Sequence, residues 1–278
     1  PVLRISGYTG RSLTTPQKKN ASGYNSLRPL RKEDNMAEDK ILRGVLMGRT
    51  ARFTAISGTS LVEDARQMHS LSRVCTAALG RTLMMTSMMG VSLKGENERV
   101  TAIVKGEGMA GNIVCTANMH GRVKGYIEAP ELELPPSPDG KLDVALAVGW
   151  FGELTVIRDM GMKEPYVGKC KMVSGEIAED FANYFTLSEQ TPSMVYLGVH
   201  VDIESGKTLG AGGMLIQAMP GCPADTVDAL SAKGDAVSAL ASRLEKGETL
   251  ESITGDIFSD CDMEILEGFS PEFRCDCS

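Results

Sequence analysis

The stretch SRVCTAALGRTLMMTSMMG, residues 72–90, is apolar almost all the way round a helix. On a 3.6-residue period, Val74, Cys75, Ala77, Ala78, Leu79, Leu83, Met84, Met85, Met88 and Met89 leave little polar face. A helix of that kind is buried on most of its sides. The pattern therefore predicts a helix from about 72 to 89, stopped by Gly90 and lodged between the layers of a core.

The flanking sequence supplies material for those layers. Residues 40–47 and 51–57 are strand-like, with Gly48-Arg49 as the turn between them. Ser60-Leu61-Val62-Glu63 has the spacing of a capping box and predicts a helix start at Ser60. Downstream, 100–104, 113–117, 123–127, 142–148 and 154–157 are short β-rich runs punctuated by glycines. Spacing this short favours antiparallel hairpins. Ser174 can cap a helix over 175–187, and strands follow over 194–201 and 213–219. After Pro220-Gly221-Cys222-Pro223 the pattern becomes helical, over 223–246 with an interruption at Gly234-Asp235, then over 249–258. The fold class is α+β: antiparallel or mixed sheets around a mostly buried helix, then a helical linker.

Composition narrows the function classes. The 278 residues are 42% hydrophobic and 23% charged, and the net charge is −7. Phosphate binding needs a basic face, so nucleic acid is not an expected partner. No apolar run approaches the length of a membrane span. Five of seven cysteines (Cys75, Cys115, Cys170, Cys222, Cys261) stand alone, which does not resemble a secreted disulfide framework and fits a cytoplasmic protein. Sixteen Met against seven Phe and one Trp suggests a Met-filled core or an adaptable apolar surface. Residues 1–35, with seven Lys/Arg and two acids, read as a leader, foreign or disordered segment, and Met36 as a plausible start.

Catalytic constellations are weak. There is no G-x-S-x-G, P-loop or H-E-x-x-H, and His69, His120 and His200 share no ligand spacing. Gly106-Glu107-Gly108-Met109-Ala110-Gly111 has the dinucleotide spacing, but a strand pattern follows it, so it reads as a glycine-rich hairpin. Glu176, Glu179 and Asp180 read as a solvated face matched to a helix dipole. What remains is the pair Cys275-Asp276-Cys277. It is half of a tetrahedral thiolate site for zinc, or a chance pair of surface thiols.

Several longer motifs occur together and in order. They are Ala77-Ala78-Leu79-Gly80-Arg81, Gly125-Tyr126 with Pro130, LTVIRDMGMKEP at 154–165, SGEIAED at 174–180 and YFTLSEQTPS at 184–193. Gly212-Gly213, Gln217, Pro220-Gly221-Cys222 and FRCDCS at 273–278 complete the set. From Met36 to its end the chain resembles the heat shock protein 33 family of redox-regulated holdase chaperones.

That resemblance implies an N-terminal α+β domain over 36–220, a helical linker over 221–268 and the start of a zinc-binding switch at 269–278. It implies that Cys275 and Cys277 are zinc ligands and form the redox-active disulfide, with a later C-x-x-C pair completing the site. It also implies that oxidation ejects zinc, that the oxidised protein forms a homodimer, and that unfolded client proteins are then held without ATP or catalysis. The chain contains no C-x-x-C, so it is expected to hold zinc weakly and to cover its client surface incompletely. Two other classes stay open: a thiol–disulfide oxidoreductase, which would want C-x-x-C at a helix N-terminus, and a structural zinc module for protein interaction.

Overall fold

The apolar helix that dominates the sequence is also the centre of the molecule. A computed structural model describes residues 38–137 and 140–274. Residues 1–35, Met36 and the pair Cys275/Cys277 lie outside the described residues.

In chain order the elements are β1 (Ile41–Leu46), β2 (Ala51–Ser57), α1 (Thr59–His69), α2 (Arg73–Gly90), β3 (Arg99–Gly106), β4 (Ile113–Ala117) and β5 (Arg122–Ile127). Then come α3 (Val144–Val148), β6 (Gly152–Asp159), β7 (Tyr166–Lys171), α4 (Ile177–Leu187), β8 (Ser193–Val201) and β9 (Thr208–Ala218). The chain continues through α5 (Ala224–Ser231), α6 (Gly234–Ser238), α7 (Leu240–Glu245), α8 (Leu250–Ile257), β10 (Glu264–Phe269) and β11 (Glu272–Phe273).

Two sheets sandwich α2. One has five strands in the order β10-β1-β2-β9-β8, all antiparallel. The other has six, in the order β11-β5-β4-β3-β6-β7, antiparallel except for the parallel pairing of β11 with β5. Sixteen of the 18 residues of α2 are buried, which only a helix touching both sheets achieves. Its polar residues turn inward on themselves: the Thr76, Thr82 and Thr86 hydroxyls donate to carbonyls four residues back. Ser72 caps it by accepting from the Cys75 amide at 3.3 Å.

The five-stranded sheet is covered on both faces. Ile56 and Leu215 face α2, while Phe53, Ala55, Met214 and Ile216 face a second apolar layer. The two-residue strand period sorts them. That second layer is made by α5–α8, which set Leu230, Val237, Leu240, Leu250, Ile253, Ile257 and Phe258 against the sheet.

Several expectations need correction. Residues 142–148 form no strand. Asp143 accepts from the Leu146 amide at 2.8 Å and starts the five-residue α3, burying Val144, Ala147 and Val148 at helical spacing. So short an apolar run fits either period, and the cap decides it. The capping box does not form either. The helix begins at Thr59, and the Leu61 amide donates to Asp39 from outside the helix at 2.7 Å. Asp180 is not on a solvated face. It is 1% exposed, and its Oδ1 accepts from the Val173 and Ser174 amides. Glu179 is exposed and Glu176 half-exposed while paired with Arg81, so Asp180 alone departs from the expectation. The 223–246 helix is three pieces, α5, α6 and α7. Strands β7, β10 and β11 were not expected from the sequence.

Candidate functional site

The region that could act as a switchable surface is the outer face of the five-stranded sheet with the helices that seal it. All four of those helices are short, at eight, five, six and eight residues for α5, α6, α7 and α8. Helices of that length hold only by packing. The first three each bury one or two side chains: Leu230 from α5, Val237 from α6, Leu240 and Ala241 from α7. Only α8 buries four, and Thr249 caps it by accepting from the Ser252 amide.

Glycines let α7 lie against the strands. A Cβ on Gly198 would stand 2.8 Å from the Ala241 Cβ, and one on Gly210 would stand 2.4 Å from the Ala241 carbonyl oxygen. The polar fastenings are exposed or partly exposed contacts: the ion pairs Lys40–Glu251 at 2.6 Å, Lys233–Asp260 and Arg243 with Glu248 and Asp256, and a His200–Glu245 hydrogen bond at 2.8 Å. Exposed pairs of this kind contribute little stability. The seal rests on the apolar residues. Beside the outer edge of β8, α4, α6 and α7 leave an open groove of about 640 Å³ lined by Met194, Tyr196 and Leu197.

From this layer the chain runs to both sheets. β10 pairs with β1, fastened by Arg43–Glu267 and Arg49–Glu264 at 2.8 Å each. β11 then joins the far edge of the six-stranded sheet. Phe273 enters the main core, meets the His69 ring edge-on at 5.9 Å, and is followed by an Arg274 amide that donates to Val123 at 2.9 Å. Cys275 is the next residue. The cysteine pair is thus attached directly to an anchored strand. Beside that anchor lies a polar cavity of about 400 Å³ lined by Arg99, His120, Arg122, Lys124, Arg274 and Glu96.

The other cysteines are placed for packing. Cys75, Cys115, Cys170 and Cys261 are buried and free, and Cys222 is partly buried. Burial pushes the thiols of Cys75, Cys115 and Cys261 up, and that of Cys170 to about 11. A thiolate is the reactive and metal-binding form, so these four are poor redox sensors. Among the described residues, no three His, Cys, Asp or Glu side chains gather as a metal site. Zinc needs four ligands, and this chain supplies one C-x-C pair, so the residues present do not complete the site.

The remaining motifs are structural. His69, His120 and His200 stay apart, with Phe273, Glu96 and Glu245 as their respective neighbours. Gly106 and Gly108 sit in the β3–β4 hairpin, where side chains would strike the Val148 and Ala147 carbonyls. No helix among the described residues is long and apolar enough to cross a membrane.

Comparison with known proteins agrees with this architecture. A family model described as "Hsp33 protein" matches residues 39–278. The "33 kDa chaperonin" of Clostridium botulinum (strain Langeland) is 42% identical over 241 residues, covering 87% of this chain and 81% of its own length. The protein of the same name from Alkaliphilus metalliredigens is 42% identical over 239 residues, covering 86% and 82%. The crystal structure of the 33 kDa chaperonin from Thermotoga maritima superposes with a TM-score of 0.78 at 34% identity, covering 87% of this chain and 82% of that one. The chain belongs to the Hsp33 family, the family of the 33 kDa chaperonins.

Proposed function

We propose that this protein is a cytoplasmic, ATP-independent holdase that captures unfolding proteins under oxidative stress. The observation that carries this reading is the apolar sheet face built from Phe53, Ala55, Met214 and Ile216, closed only by the short helices α5–α8. Lifting that layer uncovers a broad apolar surface with Met47, Met194 and Met214 in or beside it, a composition that adapts to varied clients. The lid belongs to the low-stability end of the molecule.

In this reading the trigger is the pair Cys275/Cys277. As thiolates they are what oxidants attack, and the four buried thiols are not. Hydrogen peroxide takes two electrons from the pair, one S–S bond forms, and the oxidant leaves as water. In the reduced state the same two sulfurs would be zinc ligands only with two further cysteines to close the tetrahedron, and zinc would then hold them as thiolates. Release of the C-terminal segment loosens β10, β11 and the helical layer, and the exposed face supports homodimerisation as well as client capture.

The test is suppression of light scattering from a chemically unfolded client. This chain is compared, reduced and peroxide-treated, with a version extended through a C-x-x-C pair. The extended protein is expected to be silent when reduced and protective when oxidised. Protection by the short chain in both states would assign the switch to the added residues. No protection by either version in any state would sink the holdase reading.

A further inference from the structure

We propose that a cavity at the C-terminal end of α2 binds a small organic carboxylate with an apolar body. The cavity holds about 380 Å³ and opens between the two sheets. That is within the size range of small-molecule sites. Its floor is apolar, with Met88 and Met89 of α2, Phe185 of α4 and Leu215 of β9. Three guanidinium groups also line it, from Arg43 of β1, Arg52 of β2 and Arg158 of β6.

Two of these arginines are spoken for. Arg158 pairs with Glu189 at 2.6 Å, both side chains being about four-fifths buried. Arg43 pairs with Glu267 at 2.8 Å and donates to the Val91 carbonyl at 2.9 Å, just past the end of α2. Arg52 is different. Its Nε donates to Gln217 Oε1 at 3.0 Å, and no carboxylate among the described residues pairs with it. Three cations against Glu189 and Glu267 leave the cavity one positive charge in excess. Arg52 is exposed overall; partial burial of its side chain, then the Arg43 charge, lower its proton affinity, Glu189 offsets part of this, and Arg158 adds to the lowering, so an anion at the free Nη atoms would be favoured.

The ligand class follows from these features. A guanidinium whose Nε is engaged keeps two Nη nitrogens, and their fork matches the two oxygens of a carboxylate. One excess charge calls for a monoanion. The Met and Phe floor gives nothing to a fully hydrated inorganic anion but buries an alkyl or branched side chain. A free short-chain acid and the C-terminal carboxylate of a peptide ending in an apolar residue share this chemistry. Leu266 and Glu267 of β10 also line the cavity, so an occupant would brace that strand. The cavity shares Phe53 with the sheet face proposed to hold clients but none of that face's Ala55, Met214 or Ile216, and the proposal does not depend on that assignment.

The experiment is calorimetric titration of the intact chain with hexanoate, hexanamide, inorganic phosphate, N-acetyl-Ala-Leu and its C-terminal amide. Arg52→Met is titrated in parallel. Saturable hexanoate binding is expected, weakened about tenfold or more in hexanamide and in the variant, with phosphate silent. N-acetyl-Ala-Leu binding, lost in its amide, would identify a chain terminus as the natural ligand; hexanoate binding alone would identify a free acid. Equal binding of hexanoate and hexanamide overturns the proposal whether or not the variant folds. So does unchanged hexanoate binding by a cooperatively folded variant, phosphate binding as tight as hexanoate, or no binding of any carboxylate.

Discussion

Glu63 shows how one residue can be misjudged from its neighbours in sequence. Its spacing from Ser60 fits a capping box, yet the carboxylate reaches across the fold. It accepts from Arg66 at 2.6 and 2.9 Å, from Gln67 at 2.8 Å and from the Thr208 amide at 2.9 Å. Burial by itself would push the carboxyl up. The Arg66 guanidinium, then the Thr208 and Gln67 donors, overcome burial and hold the pKa at about 2, against an ordinary 4.5. Because the folded value is the lower one, the stabilisation is fully present above pH 4.5 and is lost as pH falls toward 2. The shift corresponds to roughly 3 kcal/mol. Glu63→Gln is therefore expected to unfold at lower urea than the parent at neutral pH, and the gap should close as the solution is acidified toward the folded pKa. A gap that stays constant with pH would show that the carboxylate charge is not what matters. Asp180 makes the same point about legibility. Three acids at a helix start look solvated, and nothing local reveals that one of them is needed by the buried amides of Val173 and Ser174.

At the scale of elements, the close approach of α7 to β8 and β9 is the joint on which the proposed lid turns. Gly210 meets the Ala241 carbonyl oxygen and the Glu245 amide nitrogen and Cβ, so an added methyl pushes against backbone that cannot rotate away. Gly210→Ala is expected to cost about 1–3 kcal/mol of local packing. It should raise apolar-dye binding and speed proteolysis within 231–248, while α2 and the six-stranded sheet stay protected. Unchanged dye binding and cleavage would mean that α7 is not the hinge of the lid. β3 and β4 were legible because they alternate between a buried and a less buried face, and β1, β2 and β9, covered on both faces, because they are β-rich, largely apolar runs. β10 was not, because its residues are exposed along its length apart from Phe269, and its antiparallel ladder with β1, flanked by the Glu264–Arg49 and Glu267–Arg43 pairs, joins segments more than 200 residues apart. β7 buries only Gly168 and Cys170, too little apolar signal to announce a strand. β11 has two residues, and pattern cannot register so short a segment.

Across the whole molecule, stability should be layered. α2 is enclosed by two sheets, whereas α5–α8 cover one face of one sheet and are open to solvent on the other side. Native-state hydrogen exchange is expected to give amides of α2, β3 and β4 the full unfolding free energy, and amides of α5–α7 a clearly smaller opening energy. Equal protection in both groups would contradict a detachable layer. All described residues fall in one compact unit, Met36–Ser278, so the helical layer packs as part of that unit. The sequence by itself determined the α+β class, the buried central helix, most strands and the change of character after Pro220, because apolar periodicity is local and each period has one matching backbone. Its ordered motifs also carried the family. Only the tertiary structure decided which sheet each strand joins, what α5–α8 cover, where the C-terminal strands dock, and that Arg43, Arg52 and Arg158 meet at one cavity. Those outcomes depend on pairings between residues far apart in the chain, and no local period or spacing encodes which distant partner will be found.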